Sequence, residues 1–467
     1  MTRAPETGAE LLERRRIFSD RLAVDSGGHL AIAGISAADL VARFGSPLIV
    51  SVEDTIATNY ERLLAAFRKR WKGDVQVLYS LKCNNNLAIR ALLSRLGAGG
   101  DCFGDAELRA TLDMGTNPAH VALNGSDKTP DQIARAMESG VTINIDGIDE
   151  LCFIEAVHRR TGLLAKTNLR LKILPDALNQ VMRGSGLKHG AGVESVRRAK
   201  WGFTEGTALP ILQALLVSHA VKMTGFSCHI GHLSTDPLAF RSIADAFGRA
   251  VTRLSLATGF VPLVLDIGGG WAREREPEQR ADDVQITPIE AQVEAAVAAL
   301  EAALAPLAAR PTLWVEPGRY IVGNAQVLLA GVGAVKTDAG LRWVHVDAST
   351  NNLQRIETGG FVHDILPASR MHDDMDHVTQ VVGGTCFRSV IAADRSLPAL
   401  QRHDLIAVLD AGMYAEVFAN QFNGVPRPAG VLVCRDGSVE LIRAAETYQD
   451  IFACHIVPAR FAPVPEE

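Results

Sequence analysis

The chain has 467 residues, of which 47% are hydrophobic and 21% charged, the balance of a globular protein with length for two domains and an ample core. Its 47 basic and 53 acidic residues give a formal net charge of -6. That excludes the electrostatic footprint of a nucleic-acid or anionic-membrane binder and leaves a small molecule as the expected partner.

The first twenty residues, MTRAPETGAELLERRRIFSD, are polar and charged. They lack the apolar segment of a secretory signal or anchor, so residues 1–18 read as an extension, with disorder expected at the chain ends, and the protein as cytoplasmic. RLAVDSGGHLAIAG reads as a strand pair around Ser-Gly-Gly, and residues 19–45 are expected to join a β domain later in the chain. From 46 to 324, apolar or β-branched runs (VQVLYSL, HVALNG, VTINID, NLRLKIL, MTGFSCHI, PLVLDIGGG, TLWVEPG) alternate with helical patterns. Examples of the latter are NLAIRALLSRLG, TPDQIARAMESG, GIDELCFIEAVHRRTG and the Ala-rich ITPIEAQVEAAVAALEAALA. The alternation predicts an α/β fold with parallel strands, and about eight such units fit a (β/α)8 TIM-type barrel. From 325 to 467 the texture changes to β runs separated by Gly, Asp and Pro, such as QVLLAGVGAVKT, RWVHVDAS, DLIAVLDAG and GVLVCRD, which predicts a second, mainly β domain. The seven cysteines are odd in number and scattered, without the close spacing that grips zinc, so they read as reduced thiols and no metal is expected.

Four segments end predicted barrel strands with residues that could carry chemistry. In YSLKCNNN, Lys82 stands where barrel enzymes present functional side chains, and a buried amine there can condense with an aldehyde. In GFSCHIGH, His229 offers a flat ring for stacking. In LDIGGGWARE, Gly268, Gly269 and Gly270 let backbone N–H groups approach an anion. In WVEPGRYIVGNA, Glu316 could hold a pyridine nitrogen protonated, while Arg319, after the turn at Pro317 and Gly318, could take phosphate or carboxylate. Taken singly, each has a plainer alternative: a snorkelling lysine, a hydrogen-bonded histidine, a tight turn, a surface ion pair. As a set, all converge on one barrel mouth and supply what pyridoxal 5′-phosphate (PLP) chemistry requires.

With those motifs in view, the chain resembles the fold type III, alanine racemase-like PLP-dependent decarboxylases of the diaminopimelate/ornithine decarboxylase family, from about residue 20 to 450. The resemblance implies that Lys82 carries the cofactor, that Asp101 in AGGDCFGDAEL lies near it, and that His229 stacks on its ring. It also implies that Gly268 to Gly270, Gly318, Arg319 and Tyr414 of VLDAGMYAEVFANQFNG hold phosphate, with Glu316 at the pyridine nitrogen. In the second domain, Cys386 of VVGGTCFRSV is implied to act near the substrate α-carbon across a homodimer interface. Arg355 of STNNLQRI is implied to meet substrate carboxylate.

The pattern departs from diaminopimelate decarboxylases in one loop. Their active-site cysteine precedes a glutamate that meets the distal ammonium, in a CESxD motif, whereas this chain reads Cys386, Phe387, Arg388, Ser389. Gly359 replaces an expected tyrosine, and His232 replaces a phosphate-binding serine. The expected activity is therefore decarboxylation of an amino acid or amino-acid conjugate other than diaminopimelate, with an acidic or neutral distal group, as in siderophore or other secondary metabolism. Arg388 is a candidate substrate contact, although it could equally face solvent. Two alternatives stay open: racemisation or epimerisation on the same scaffold, and a non-catalytic homologue like the antizyme inhibitors. A carboxylate rather than an arginine in the pyridine motif argues against the first, and retention of the lysine, histidine and cysteine against the second.

Overall fold

The computed structural model describes residues 6–174, 193–229, 236–277, 287–307 and 310–461. The N-terminal extension is more ordered than its composition predicts. Thr7 and Glu10 form a reciprocal capping box that starts a helix at Gly8–Arg15, and Leu12 of this helix is buried in the core of the β domain. Leu22–Val24, Leu30–Ile32 and Ile35–Ser36 follow as a small antiparallel sheet, with the expected pairing of Leu22 to Ile32. They join the β domain by packing Leu22, Leu30 and Ile32 into its core, and form a sheet of their own.

Eight parallel strands close into a barrel: Val75–Ser80, Gly99–Phe103, Val121–Asn124, Thr142–Ile145, Ala165–Arg170, Val221–Ser227, Val264–Asp266 and Thr312–Val315. The last pairs back on the first, Leu313 opposite Val75. Gly99–Phe103 lacks the β-branched residues that mark the others, and its glycines answer a steric need. A Cβ on Gly99 would lie 2.0 Å from the His120 carbonyl oxygen, and one on Gly100 would lie 2.5 Å from the Thr111 methyl. The helices begin and end where local chemistry directs. Thr129 and Gln132 cap Pro130–Ser139, which stops at Gly140 in a left-handed conformation. Gly248 lets Pro237–Thr258 pack closely on Ala303 and Leu300 of the helix Ile289–Ala303 and its neighbourhood.

The second unit is a nine-stranded sheet built mainly from residues after 325. Its centre corrects the expected domain boundary. Leu48–Val52, which the sequence places in the barrel, lies antiparallel to Gln326–Asp338 and parallel to Ala429–Val433, with every residue buried. Five consecutive apolar or small residues suit a strand covered on both faces, and only this sheet covers them so. Among the described residues, no helix is long and apolar enough to cross a membrane.

Candidate active site

The barrel interior is plugged by Leu78, Ala122 and Trp314, with Val264 packed against them. One layer higher, toward the C-terminal ends of the strands, the side chains turn polar. Ser80, Asp101, Asn124, Asn144, Asn168, Thr224, Asp266 and Glu316 are all buried there, each from or just beyond a different strand. A packed barrel favours branched apolar residues in its layers, so eight buried polar groups in one layer mark a site. Buried polar groups need partners, and these form a connected arc. Asn168 donates to Asn144 Oδ1 (3.0 Å) and Asn144 to Asn124 Oδ1 (2.9 Å), while Asn124 donates to both Asp101 (2.8 Å) and Glu316 (2.7 Å).

Lys82 follows Ser80 in a single 3-10 turn, Leu81–Cys83, so its amine reaches over this layer. It is ion-paired and hydrogen-bonded to Asp101, donates to Ser80 Oγ (3.2 Å) and lies 4.7 Å from the centre of the Phe103 ring. Burial disfavours its charge, but Asp101, Glu316 and Tyr414 outweigh that and hold the ammonium above its ordinary pKa. Glu316 is shifted the other way for a carboxyl: burial, then Asp101 and Asp266, push it well up, against Lys82 and Arg170. Burial likewise raises Asp266 to about 6. Three carboxyls crowd one desolvated layer and suppress the charge on Glu316, so a further cation placed against Glu316 would draw it into its ionised form.

The glycine motif forms a tight cradle beside them. Gly268 has φ 71° and Gly270 φ 91°, conformations that L side chains rarely adopt. A Cβ on Gly269 would sit 2.1 Å from the Glu316 carbonyl oxygen, and one on Gly268 would sit 3.0 Å from His229 Nδ1. His229 Nδ1 in turn accepts from the Gly269 N–H at 3.4 Å. Gly318 gives room to Cys83, whose Cβ would lie 2.6 Å from an added Cβ. Arg319, buried, opens the short helix Arg319–Val322 and stands 3.9 Å from Glu276. Tyr414, at φ 55°, is tied by its backbone N–H to the Cys83 carbonyl (2.8 Å), which brings the β domain to the lysine turn.

The remaining candidates lie on β-domain loops. Arg355 starts the helical turn Arg355–Gly359 and stacks on Phe361 (5.0 Å) and Phe418 (5.9 Å). Gly359 makes this possible: a Cβ there would lie 2.7 Å from the guanidinium carbon. Arg355 Nε is buried with no hydrogen-bond partner among the described residues. Phe418 links Arg355 to Tyr414, with ring centres 6.2 Å apart. Cys386 is exposed, its N–H held by Asn423 Oδ1 (2.9 Å), and Arg388 is exposed two residues on. His232 lies outside the described residues. Residues that the sequence reading did not single out include Asn124, Asp266, Phe103 and Arg170. Arg170 donates to Asn124 Oδ1 (3.1 Å) and stands between the Phe103 and Trp201 rings, at 6.0 and 5.9 Å. For Asn124 and Asp266 the signal was position alone, near the ends of predicted strands; Phe103 ends a strand that the sequence did not announce, and Arg170 lies inside the run NLRLKIL.

The family described as "Pyridoxal-dependent decarboxylase, pyridoxal binding domain" matches residues 54–323, which take in all eight barrel strands. The chain belongs to that family. A diaminopimelate decarboxylase of Methanothermobacter thermautotrophicus is 32% identical over 95% of this chain and 99% of its own, and one of Archaeoglobus fulgidus is 32% identical over 93% and 98%. The crystal structure of diaminopimelate decarboxylase from M. jannaschii superposes with a TM-score of 0.87 at 28% identity, covering 96% of this chain and all of that one. This protein is accordingly a PLP-dependent amino-acid decarboxylase, a lyase on a TIM barrel with a mainly β second domain. The residues present fit the cofactor: an amine beside an acid, a cradle that a Cβ would fill, a buried arginine, and a carboxyl awaiting a cation. Ser227 Oγ, buried without a partner among the described residues, adds an open polar group at the same strand ends. Gly269→Ala forces a methyl into the Glu316 backbone, an overpacking cost of about 1–3 kcal/mol. The expected result is weaker PLP binding in a spectrophotometric titration, together with a lowered unfolding midpoint.

Proposed function

We propose that this decarboxylase acts in the cytoplasm, as a homodimer, on an amino acid or amino-acid conjugate whose distal group is acidic or neutral, and that diaminopimelate is not its substrate. The observation that carries the reading is the loop after Cys386, where Phe387 and Arg388, both exposed, offer no acid to a distal ammonium; the Arg355 guanidinium, fixed against Gly359 and two aromatic rings, adds a cation. A cation held so, with side-chain entropy already lost, suits a carboxylate of the substrate. Phe387 stands where family members that take a distal ammonium carry a glutamate, and Arg388 follows it with a charge that would repel such a group. The M. jannaschii relative was solved with L-lysine, and this chain's loop lacks the acid that would welcome such an ammonium.

When bound, PLP supplies the electron sink for loss of the carboxylate. The chain's own groups have distinct tasks. Lys82 holds the cofactor and Asp101 keeps its nitrogen charged between turnovers. Glu316 would hold the pyridine nitrogen protonated, and His229 would pack on the ring. Gly268 to Gly270, Gly318, Arg319 and Tyr414 take the phosphate. Cys386 Sγ delivers a proton to the α-carbon from the partner subunit's side of the pocket. Its exposure beside Phe387 and Phe422, both exposed and 6.5 Å apart, supports a second copy covering this loop. The free state of all seven cysteines supports a reducing compartment. A panel of amino acids and conjugates assayed for CO2 release tests the substrate class. Arg355→Gln is expected to raise KM for the best acidic substrate about 10- to 100-fold, the worth of a charge-assisted hydrogen bond. Ordinary enzymic turnover of meso-diaminopimelate, unaffected by that change, would sink the proposal.

A further inference from the structure

We propose that Asn124 is a positioning residue of the reaction: by giving one amide N–H to Asp101 and the other to Glu316, it sets the negative charge that meets the Lys82 nitrogen and the cofactor ring. The amide cannot turn, because its oxygen accepts from Asn144 Nδ2 (2.9 Å) and from Arg170 (3.1 Å) while its nitrogen donates at 2.8 and 2.7 Å. Asn124 is buried at 2% exposure, so water does not substitute for these bonds. Donors aimed at a carboxylate favour its charged form. One side chain therefore stabilises charge on two acids that approach the lysine from different strands, and couples them.

The groups facing Lys82 are Asp101, Glu316, Tyr414 and Cys83, with Asp266 and Arg170 next to Glu316, and Glu107, pushed up to about 7 by burial, next to Asp101. Two substitutions act on this set in opposite senses. Asn124→Ser withdraws both donors, which raises Asp101 toward protonation and moves Glu316 further from its charged form, and so weakens the hold on a proton at the Lys82 nitrogen. Asn124→Asp also gives up the N–H donors but keeps the shape and adds a carboxylate, whose other oxygen stays held by Asn144 and Arg170, so the net negative charge facing the nitrogen rises and strengthens that hold.

The test is the visible absorbance of the PLP-loaded variants as a function of pH, with circular dichroism to follow the fold. The midpoint is expected to fall by about one pH unit in Asn124→Ser and to rise by a similar amount in Asn124→Asp, each a tenfold change in proton affinity. A residue that only packs would leave both midpoints where they are or move them together, and either outcome overturns the assignment. So does loss of PLP from both variants with the fold intact, since Asn124 would then serve retention of the cofactor rather than its charge.

Discussion

Alanine in place of Lys82 is expected to abolish the visible absorbance of the PLP-loaded protein and to lower turnover by on the order of 10^3-fold or more. The amine is the group at the barrel mouth that can join the cofactor covalently while remaining paired with a buried acid. Its removal also leaves Asp101 in the barrel interior without a cation, so the alanine variant loses some stability as well as its chemistry. Lys82→Arg separates the two effects. The guanidinium restores the charge but stays protonated at any working pH, so it cannot condense with an aldehyde. The arginine variant is expected to melt near the parent temperature and to be colourless. Absorbance spectra and CO2 release check both variants, and an alanine variant that kept colour and turnover would remove Lys82 from the reaction.

The second large effect concerns the joint between the two domains. Arg273 donates to Asp410 (2.8 Å) and Glu276 (3.0 Å), and Arg275 donates to Asp410 (2.7 Å) and Asp20 (2.8 Å), with all five side chains buried. Asp410→Asn leaves two guanidinium groups partly unmatched in the interior, a loss of about 3–5 kcal/mol measured by urea denaturation. The backbone is not the cause, since asparagine accepts the φ of 58° found at this position. Burial alone would raise the Asp410 carboxyl, but Arg275 and then Arg273 outweigh it and hold it at about 2. A carboxyl depressed on folding contributes fully above its unfolded pKa of about 4 and loses that contribution as pH falls toward the folded value. The parent protein is therefore expected to lose stability between about pH 4 and pH 2 more steeply than Asp410→Asn. Equal slopes would show that this carboxylate does not govern acid unfolding.

Much of this arrangement is legible in the residues themselves. Strand ends announce Lys82, His229, the glycine triplet and Glu316, because barrel architecture gives those positions one meaning. The strand Gly99–Phe103 was hidden, since Gly-Gly reads as a turn and its purpose, close approach to His120 and Thr111, exists only once neighbours are assembled. Asn124 was hidden for a related reason. An asparagine before glycine signals a turn, and nothing local tells that its amide bridges two acids brought in from distant strands. Val390–Leu397 escaped notice because charged residues interrupt it, Asp394 exposed and Arg395 half-buried, on a strand at the sheet margin. Leu48–Val52 was visible as a strand but not as to its sheet, because chain order favoured the barrel and only burial on both faces decides otherwise.

The position of that strand governs how the molecule can be made. Leu48–Val52 leaves the ribosome before any part of the barrel, yet its two flanking partners, Gln326–Asp338 and Ala429–Val433, emerge after the barrel is complete. Until then its row of amides and carbonyls is an open edge, the kind of template on which nascent chains stick to one another. The protein cannot mature domain by domain from its N-terminus: a strand made before the barrel waits for partners made after it, and a chain released early is left adhesive rather than merely short.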